Sequence, residues 1–470
     1  MLFNSSEFLL FFPIVTILYF LTPYKFRWLL LLLASCIFYM FFIPVYILIL
    51  FFTIIIDYIA GIMIEGAQRN KKQFLVMSII ANVGVLAAFK YFNFLAININ
   101  SLADKNIIPL LAIILPLGLS FHTFQAMSYT IEVYRGRQKA ERHLGVYALY
   151  VMFYPQLVAG PIERPQNIIA QLRAKHKFDV GLLYSGLRLM LWGLFKKVVV
   201  ADRLSIYVDA VYSDPHSYSN FLNVLIAFVF FSVQIYCDFS GYSDIAIGAA
   251  RTMGIDLMIN FNRPYFSKNI REFWSRWHIS LSTWFRDYLY IPLGGNRVKI
   301  KRLYVNIAIV FLLSGLWHGA NWTFVVWGGL HALFIIISIA LGKYFLKKRG
   351  AGNKFIGWFV TFWVVTIAWV FFRATGFSDA FILLKNFFTV NNSQPFLSVV
   401  SFKGALFGMS SFAISIFVIA FTFFVEKYSD TLLLSFDNKK SKDVLFCSVV
   451  LILIILLGIF QRNSFIYFQF

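Results

Sequence analysis

A run of about twenty apolar residues leaves a chain few choices, because ~20 residues rising ~1.5 Å each cross a ~30 Å hydrocarbon core. This 470-residue sequence repeats such runs along its whole length, with short charged patches between them. Its residues are 60% hydrophobic and 13% charged, whereas soluble domains run at about 45–50% and about 25%. A transmembrane β-barrel would show ~10-residue segments of alternating polarity, and these are absent from the sequence. The expected fold class is an all-α polytopic integral membrane protein.

Candidate spans lie near 7–23, 28–43, 45–64, 73–92, 107–131, 144–159, 183–200, 221–250, 303–317, 320–341, 355–372, 403–425 and 444–460. With half-helices and re-entrant segments allowed for, about ten to thirteen membrane helices are expected, in a single domain over 1–470. The first run lacks a basic leader and an A-x-A-like site, so it reads as a span and not as a cleaved signal. No internal repeat is visible, which weighs against inverted-repeat transporters.

The formal net charge is +21, from 42 Lys and Arg against 21 Asp and Glu. In a soluble chain that excess would suggest nucleic acid. Here most of the cations fall between apolar runs, at 69–72, 135–142, 164–177, 196–197, 297–302, 343–349 and 439–442. That is the positive-inside signature of a cytoplasmic face, and no nucleic-acid partner is expected. Membrane lipid headgroups or an anionic ligand could meet some of these cations. Cys36, Cys237 and Cys447 stand alone in apolar segments, so neither a disulfide framework nor a metal site is expected.

Residues 252–302 differ from the rest. Arg263, Arg271, Arg276, Arg286 and Arg297 alternate with Trp274, Trp277, Trp284, Tyr288 and Tyr290. Rings and snorkelling cations interleaved in this way suit a segment lying at the membrane–water boundary. His278 sits inside it, and both an interfacial and a functional role fit. Arg276 and Arg286 could hold phosphates in bidentate fashion, or lipid headgroups.

Two basic patches, 297–302 and 343–349, flank one long apolar stretch whose polar break is Ser314-Gly-Leu-Trp-His318-Gly-Ala-Asn321-Trp-Thr323. If both patches face the cytoplasm, the stretch goes in and returns. The ~15 residues before His318 span ~23 Å as helix, which places it beyond the midplane but short of the far side. An ionisable group at that depth is costly unless paired or facing a wet cavity, and is by default a functional hypothesis. Gly315 and Gly319 would let another helix or a ligand approach closely. A histidine that merely joins two helices is the bland alternative; a neutral imidazole is also the best general base near pH 7. His331, further along, reads as structural.

A second polar cluster, Gln234-Ile-Tyr236-Cys-Asp238-Phe-Ser240-Gly-Tyr242-Ser-Asp244, interrupts another span. Its aspartates need partners, and basic side chains of the interfacial segment are the expected ones. Structural pairing is the first reading and lining of a reaction chamber the second. At 159–165, Gly160, Pro161 and Pro165 predict a helix break buried in protein or next to water.

These stretches resemble the membrane-bound O-acyltransferase family, in its bacterial alginate and peptidoglycan O-acetyltransferase branch. The likeness rests on MLFNSSEFLLFFP, VAGPIERP, YCDFSGYSDIAIG, FNRPYFSKNIREFWSRWHISLSTWFRDYLYIPLGGN, LLSGLWHGANWTFVVWGGLH and the terminal FIYFQF. It runs from end to end, with departures in loops and near 380–440. It implies a ring of helices around a central tunnel, with a core at about 110–342 and peripheral helices in 1–105 and 355–470.

The resemblance also implies acetyl-CoA as the donor substrate, entering from the cytoplasm, with no permanently bound cofactor. The acetyl group would leave through a periplasmic or extracellular esterase-like partner that modifies a polysaccharide hydroxyl, from the bacterial inner membrane. The family's intramembrane histidine falls on His318 and its second motif histidine on His278. Base catalysis and a transient acyl-histidine both remain open for His318. Trp274, Arg276, Arg286, Asn321, Tyr236, Asp238 and Ser240 are the candidate substrate- and donor-binding residues. A transporter or flippase, in which the polar clusters bind a solute unchanged, is the alternative; an inactive scaffold is a third.

Overall fold

The computed structural model describes residues 1–158, 160–345, 353–389, 408–428, 440–460 and 465–466, and every regular element among them is helical. Seven described helices are long and apolar enough to cross a bilayer: Pro44–Gly66, Lys71–Ala103, Phe221–Thr252, Ile300–His318, Trp322–Gly342, Lys354–Arg373 and Met409–Tyr428. Ser6–Leu21 and Asp443–Leu457 are apolar but shorter. The chain is thus a polytopic helical membrane protein. The basic patches at 343–349 and 439–442, and the last residues of FIYFQF, lie partly or wholly outside the described residues.

The expected span at 107–131 is corrected. Residues 109–116 carry no helix, since Pro109 and Pro116 lack the donor a helix needs. Side chains hold this extended stretch instead: Leu111 N donates to Asn93 Oδ1 at 2.9 Å, and Ile107 N and Ile108 N both donate to Asn100 Oδ1 at 2.9 Å. The helix starts only after Gly118, whose φ of +75° leaves no room for a side chain, as a Cβ there would stand 2.6 Å from Leu157 O.

The chain forms two compact units, Met1–Met190 with Tyr242–Ile259, and Leu191–Gly241 with Asn260–Phe470. The first contains α1 (Ser6–Leu21), α2 (Arg27–Met40), α3 (Ile47–Gly66), α4 (Lys71–Leu86), α5 (Phe92–Ala103), α6 (Leu119–Tyr134), α7 (Leu144–Met152), α8 (Tyr154–Leu157) and α9 (Pro165–Leu172). In apolar surroundings polar side chains act as glue between helices. Asp57 of α3 is fully buried and accepts from Ser78 Oγ at 2.6 Å and Asn82 Nδ2 at 2.8 Å, both on α4, while Ser78 Oγ reaches Thr130 Oγ1 of α6 at 3.1 Å. The helix break expected at 159–165 is present: α8 ends at Leu157 and α9 begins at Pro165. Glu163 locks it, fully buried and accepting from Asn167 Nδ2 at 2.8 Å and from Met258 N.

Two helices, α10 (Val180–Phe195) and α12 (Phe221–Thr252), carry the chain from one unit into the other; α11 (Asp202–Ser213) lies between them in sequence. The second unit continues with α13 (Ile270–Arg276), α14 (Ile279–Phe285), α15 (Ile300–His318), α16 (Trp322–Phe345), α17 (Lys354–Arg373), α18 (Phe377–Phe388), α19 (Met409–Tyr428) and α20 (Lys440–Leu457). Here α15 and α16 form a hairpin in which small residues bring the backbones together. A Cβ on Gly315 would strike Phe324 O, and one on Gly328 would strike Phe311 O. The close approach expected at Gly315 and Gly319 is therefore made by α16, with the Phe324 ring lying over Gly319.

Candidate active site

His318 is the last residue of α15, and Gly319 ends the helix in an extended conformation, φ −158°. Asn321 then opens the next helix: its Oδ1 accepts from Thr323 N at 3.1 Å, and its Nδ2 donates to Thr375 O at 3.1 Å. The His318 side chain is 4% exposed. Trp317, Trp327 and Phe372 surround it, with ring centroids at 4.9, 5.0 and 5.4 Å. Trp327 meets the imidazole edge-on, at 89°.

His278 occupies the break between α13 and α14 in the left-handed conformation, φ 42° and ψ 56°. A non-glycine residue there is strained and persists only where its surroundings impose it. Residues 260–262 supply that constraint. Ile279 N donates to Asn260 O at 2.9 Å, Asn262 N to Arg276 O at 3.0 Å, and Ser280 Oγ to Asn260 Oδ1 at 2.6 Å. The imidazole is fully buried against Phe239, 4.6 Å away. Burial lowers its pKa to about 3 and so keeps the ring neutral.

The two histidines, far apart in sequence, are thereby brought together, with ring centroids 6.5 Å apart. Beside them lies a cavity of about 860 Å³, reached by Ile279, the neighbour of His278, and by Ser314, one helical turn before His318. Its walls are mainly apolar, with Phe311, Ile335 and Trp274 among them; Arg271, Arg286 and Asn296 join several serine and threonine hydroxyls as the polar part of the lining. A buried imidazole pair with an adjoining apolar chamber and cationic side chains suits proton abstraction next to a bound anionic donor.

The family model of the membrane-bound O-acyltransferases matches residues 137–377, a stretch that holds both histidines and the whole cavity lining. The Pseudomonas aeruginosa protein named "Probable alginate O-acetylase AlgI" is 38% identical over 403 residues, 84% of this chain and 76% of its own length. The chain belongs to the membrane-bound O-acyltransferase family. It is an acyltransferase. A Helicobacter pylori protein named peptidoglycan O-acetyltransferase is 38% identical over 389 residues, 77% of this chain and 73% of its own. A Bacillus subtilis teichoic acid D-alanyltransferase is 31% identical over 229 residues, 47% of this chain and 58% of its own.

In this acyltransferase the other residues singled out from the sequence divide into two groups. Trp274 and Arg286 line the cavity. The others are held elsewhere. Arg276 pairs with Glu272 along α13, Nη2 to Oε1 at 2.8 Å. Asn321 caps α16. Tyr236 donates to Glu426 Oε1 at 2.6 Å, and Ser240 is buried on the same helix. Asp238 does have a cation, but it comes from another place than expected: Lys197 Nζ lies 2.7 Å from Asp238 Oδ1 and 2.9 Å from Asp202 Oδ1, and all three side chains are buried. The interfacial arginines are not its partners, because Lys197 already occupies that oxygen, while Asp238 Oδ2 accepts from Ile466 N at 2.8 Å. Arg271, Asn260 and Phe239 are the additions that sequence reading had not assigned to the site. Arg271 was visible as one of the interleaved cations, whereas nothing local marks Asn260 as the brace of a distant histidine.

Proposed function

We propose that this acyltransferase is an O-acetyltransferase of the bacterial cytoplasmic membrane that takes its acetyl group from acetyl-CoA. Delivery would be to a polysaccharide hydroxyl on the far side, peptidoglycan or an alginate-like polymer, through an extracytoplasmic esterase-like partner. The observation that carries this reading is the buried His278–His318 pair, with rings 6.5 Å apart beside a cavity large enough for a thioester arm. His318 acts on the acceptor hydroxyl as general base, or takes the acetyl group transiently, and His278 supports it across the pair. Arg271 and Arg286 offer charge to the anionic nucleotide of the donor. Enclosure of the site excludes water, whose attack on the thioester competes with transfer. The names of the relatives support a polymer acceptor, and the basic patches between spans support a donor arriving from the cytoplasm.

The test is genetic complementation. A strain lacking the gene regains O-acetylated envelope polysaccharide with the wild-type chain and not with His318→Ala, both present in the membrane at equal amounts. Normal O-acetylation with His318→Ala would refute the assignment.

A further inference from the structure

One face of α16 carries polar atoms with nothing to bond. Thr323, Trp327 and His331 follow one another at i, i+4 and i+8, so they share a face. They are 1%, 0% and 0% exposed. Thr323 Oγ1, Trp327 Nε1 and His331 Nε2 are each buried and have no hydrogen-bond partner among the described residues. A buried donor left unmade is costly, so three in a row on one helix face call for an occupant. All three are donors here. The indole and hydroxyl are donors by their chemistry. His331 becomes one because Trp274 Nε1 donates to its Nδ1 at 3.3 Å, which leaves the proton of the neutral ring on Nε2.

The row begins where His318 ends. The Trp327 ring stands 5.0 Å from the His318 ring and 4.9 Å from that of His331. At its other end the His331 ring meets those of Trp274 and Phe311, which line the cavity. We propose that this face of α16 is the oxyanion site of the acyl transfer, with Trp327 Nε1–H and Thr323 Oγ–H donating to the carbonyl oxygen of the acyl group.

The inference rests on the reading of His318 as the base. The acceptor hydroxyl oxygen attacks the thioester carbonyl carbon, and its proton passes to His318. The carbonyl π pair moves onto oxygen, where the indole N–H and the hydroxyl meet it. The C–S bond then breaks as the carbonyl re-forms, and the thiolate takes the proton back from the imidazolium. Thioester and alcohol become ester and thiol, with nothing left over. Donors placed in a closed site act where charge develops and need no reorganisation at that moment.

Two variants keep shape and remove only the donor: Trp327→Phe and Thr323→Val. With the full-length protein in membrane vesicles, acetyl-CoA as donor and the cell's own envelope fraction as acceptor, Trp327→Phe should lower kcat by about 100-fold and Thr323→Val by about 10-fold. KM for acetyl-CoA should stay within about twofold, as expected of donors used only in the transition state. The thermal midpoint in detergent should hold or rise, because each change removes an unsatisfied buried group. Retention of kcat within about threefold in Trp327→Phe would overturn the proposal. So would a loss of activity matched by a lower midpoint or a raised KM. His318→Ala, run alongside, separates the two claims: if that variant stays active, the reading of His318 fails, and the carbonyl position assigned to Trp327 falls with it.

Discussion

Lys197 sits at 4% side-chain exposure between Asp202 and Asp238, at 3% and 4%. A charge in such a place is tolerated only because each partner is also there, and removing one leaves the others uncompensated. Lys197→Met should therefore destabilise the protein by about 3–5 kcal/mol, read as a fall in its thermal or chemical unfolding midpoint in detergent. A midpoint equal to wild type would show that the two buried carboxylates do not depend on Lys197. In the sequence Lys196-Lys197 looks like one more positive-inside patch, because charge in a list of letters carries no information about what faces it across the fold. His318 was legible for the opposite reason: its position relative to the apolar runs and basic patches, with glycines either side, already marks it as an ionisable group that needs a use. His278 lay between. Its segment was recognisable, but the left-handed turn that aims it at His318 depends on Asn260, which no local pattern announces.

At the scale of elements, the α15–α16 hairpin positions both His318 and the donor face of α16. A methyl on Gly328 would collide with Phe311 O, and overpacking of this kind costs about 1–3 kcal/mol. Gly328→Ala should part the two helices and lower acetyl transfer more than it lowers protein yield, as measured by activity per folded molecule after size-exclusion chromatography. The helices themselves were largely legible, since length and apolarity decide them. The stretch at 107–131 was legible only in part: Pro109 and Pro116 stand inside it, but Asn93 and Asn100, which accept from its backbone, lie outside it. The break between α8 and α9 has its own signature in pH. Burial raises the Glu163 pKa to about 7, the hydrogen bonds from Met258 N and Asn167 opposing it only in part. The folded carboxyl thus holds its proton more tightly than the unfolded one. Stability from this group is present at low pH and is lost as pH rises from the ordinary carboxylate range through about 7. Glu163→Gln should flatten that slope, seen in thermal midpoints between pH 5 and pH 8; an unchanged slope would assign the pH dependence elsewhere.

For the whole molecule, membership of the acyltransferase family and the helical, multi-pass character rest on long motifs and long spans, and both were readable from the chain. The acceptor was not, since nothing in the cavity or the histidine pair reads as a carbohydrate pocket. The proposed role of His318 is transfer of an acyl group from a thioester, as opposed to binding a solute that passes unchanged. Purified protein in liposomes, given acetyl-CoA and the solubilised envelope fraction, measures this directly through the free thiol released and the ester formed. Wild type should release thiol in step with new O-acetyl ester, and His318→Ala, folded and inserted to the same extent, should do neither. Thiol release and ester formation by His318→Ala at near wild-type rates, or acetyl-CoA recovered intact with wild type, would contradict it.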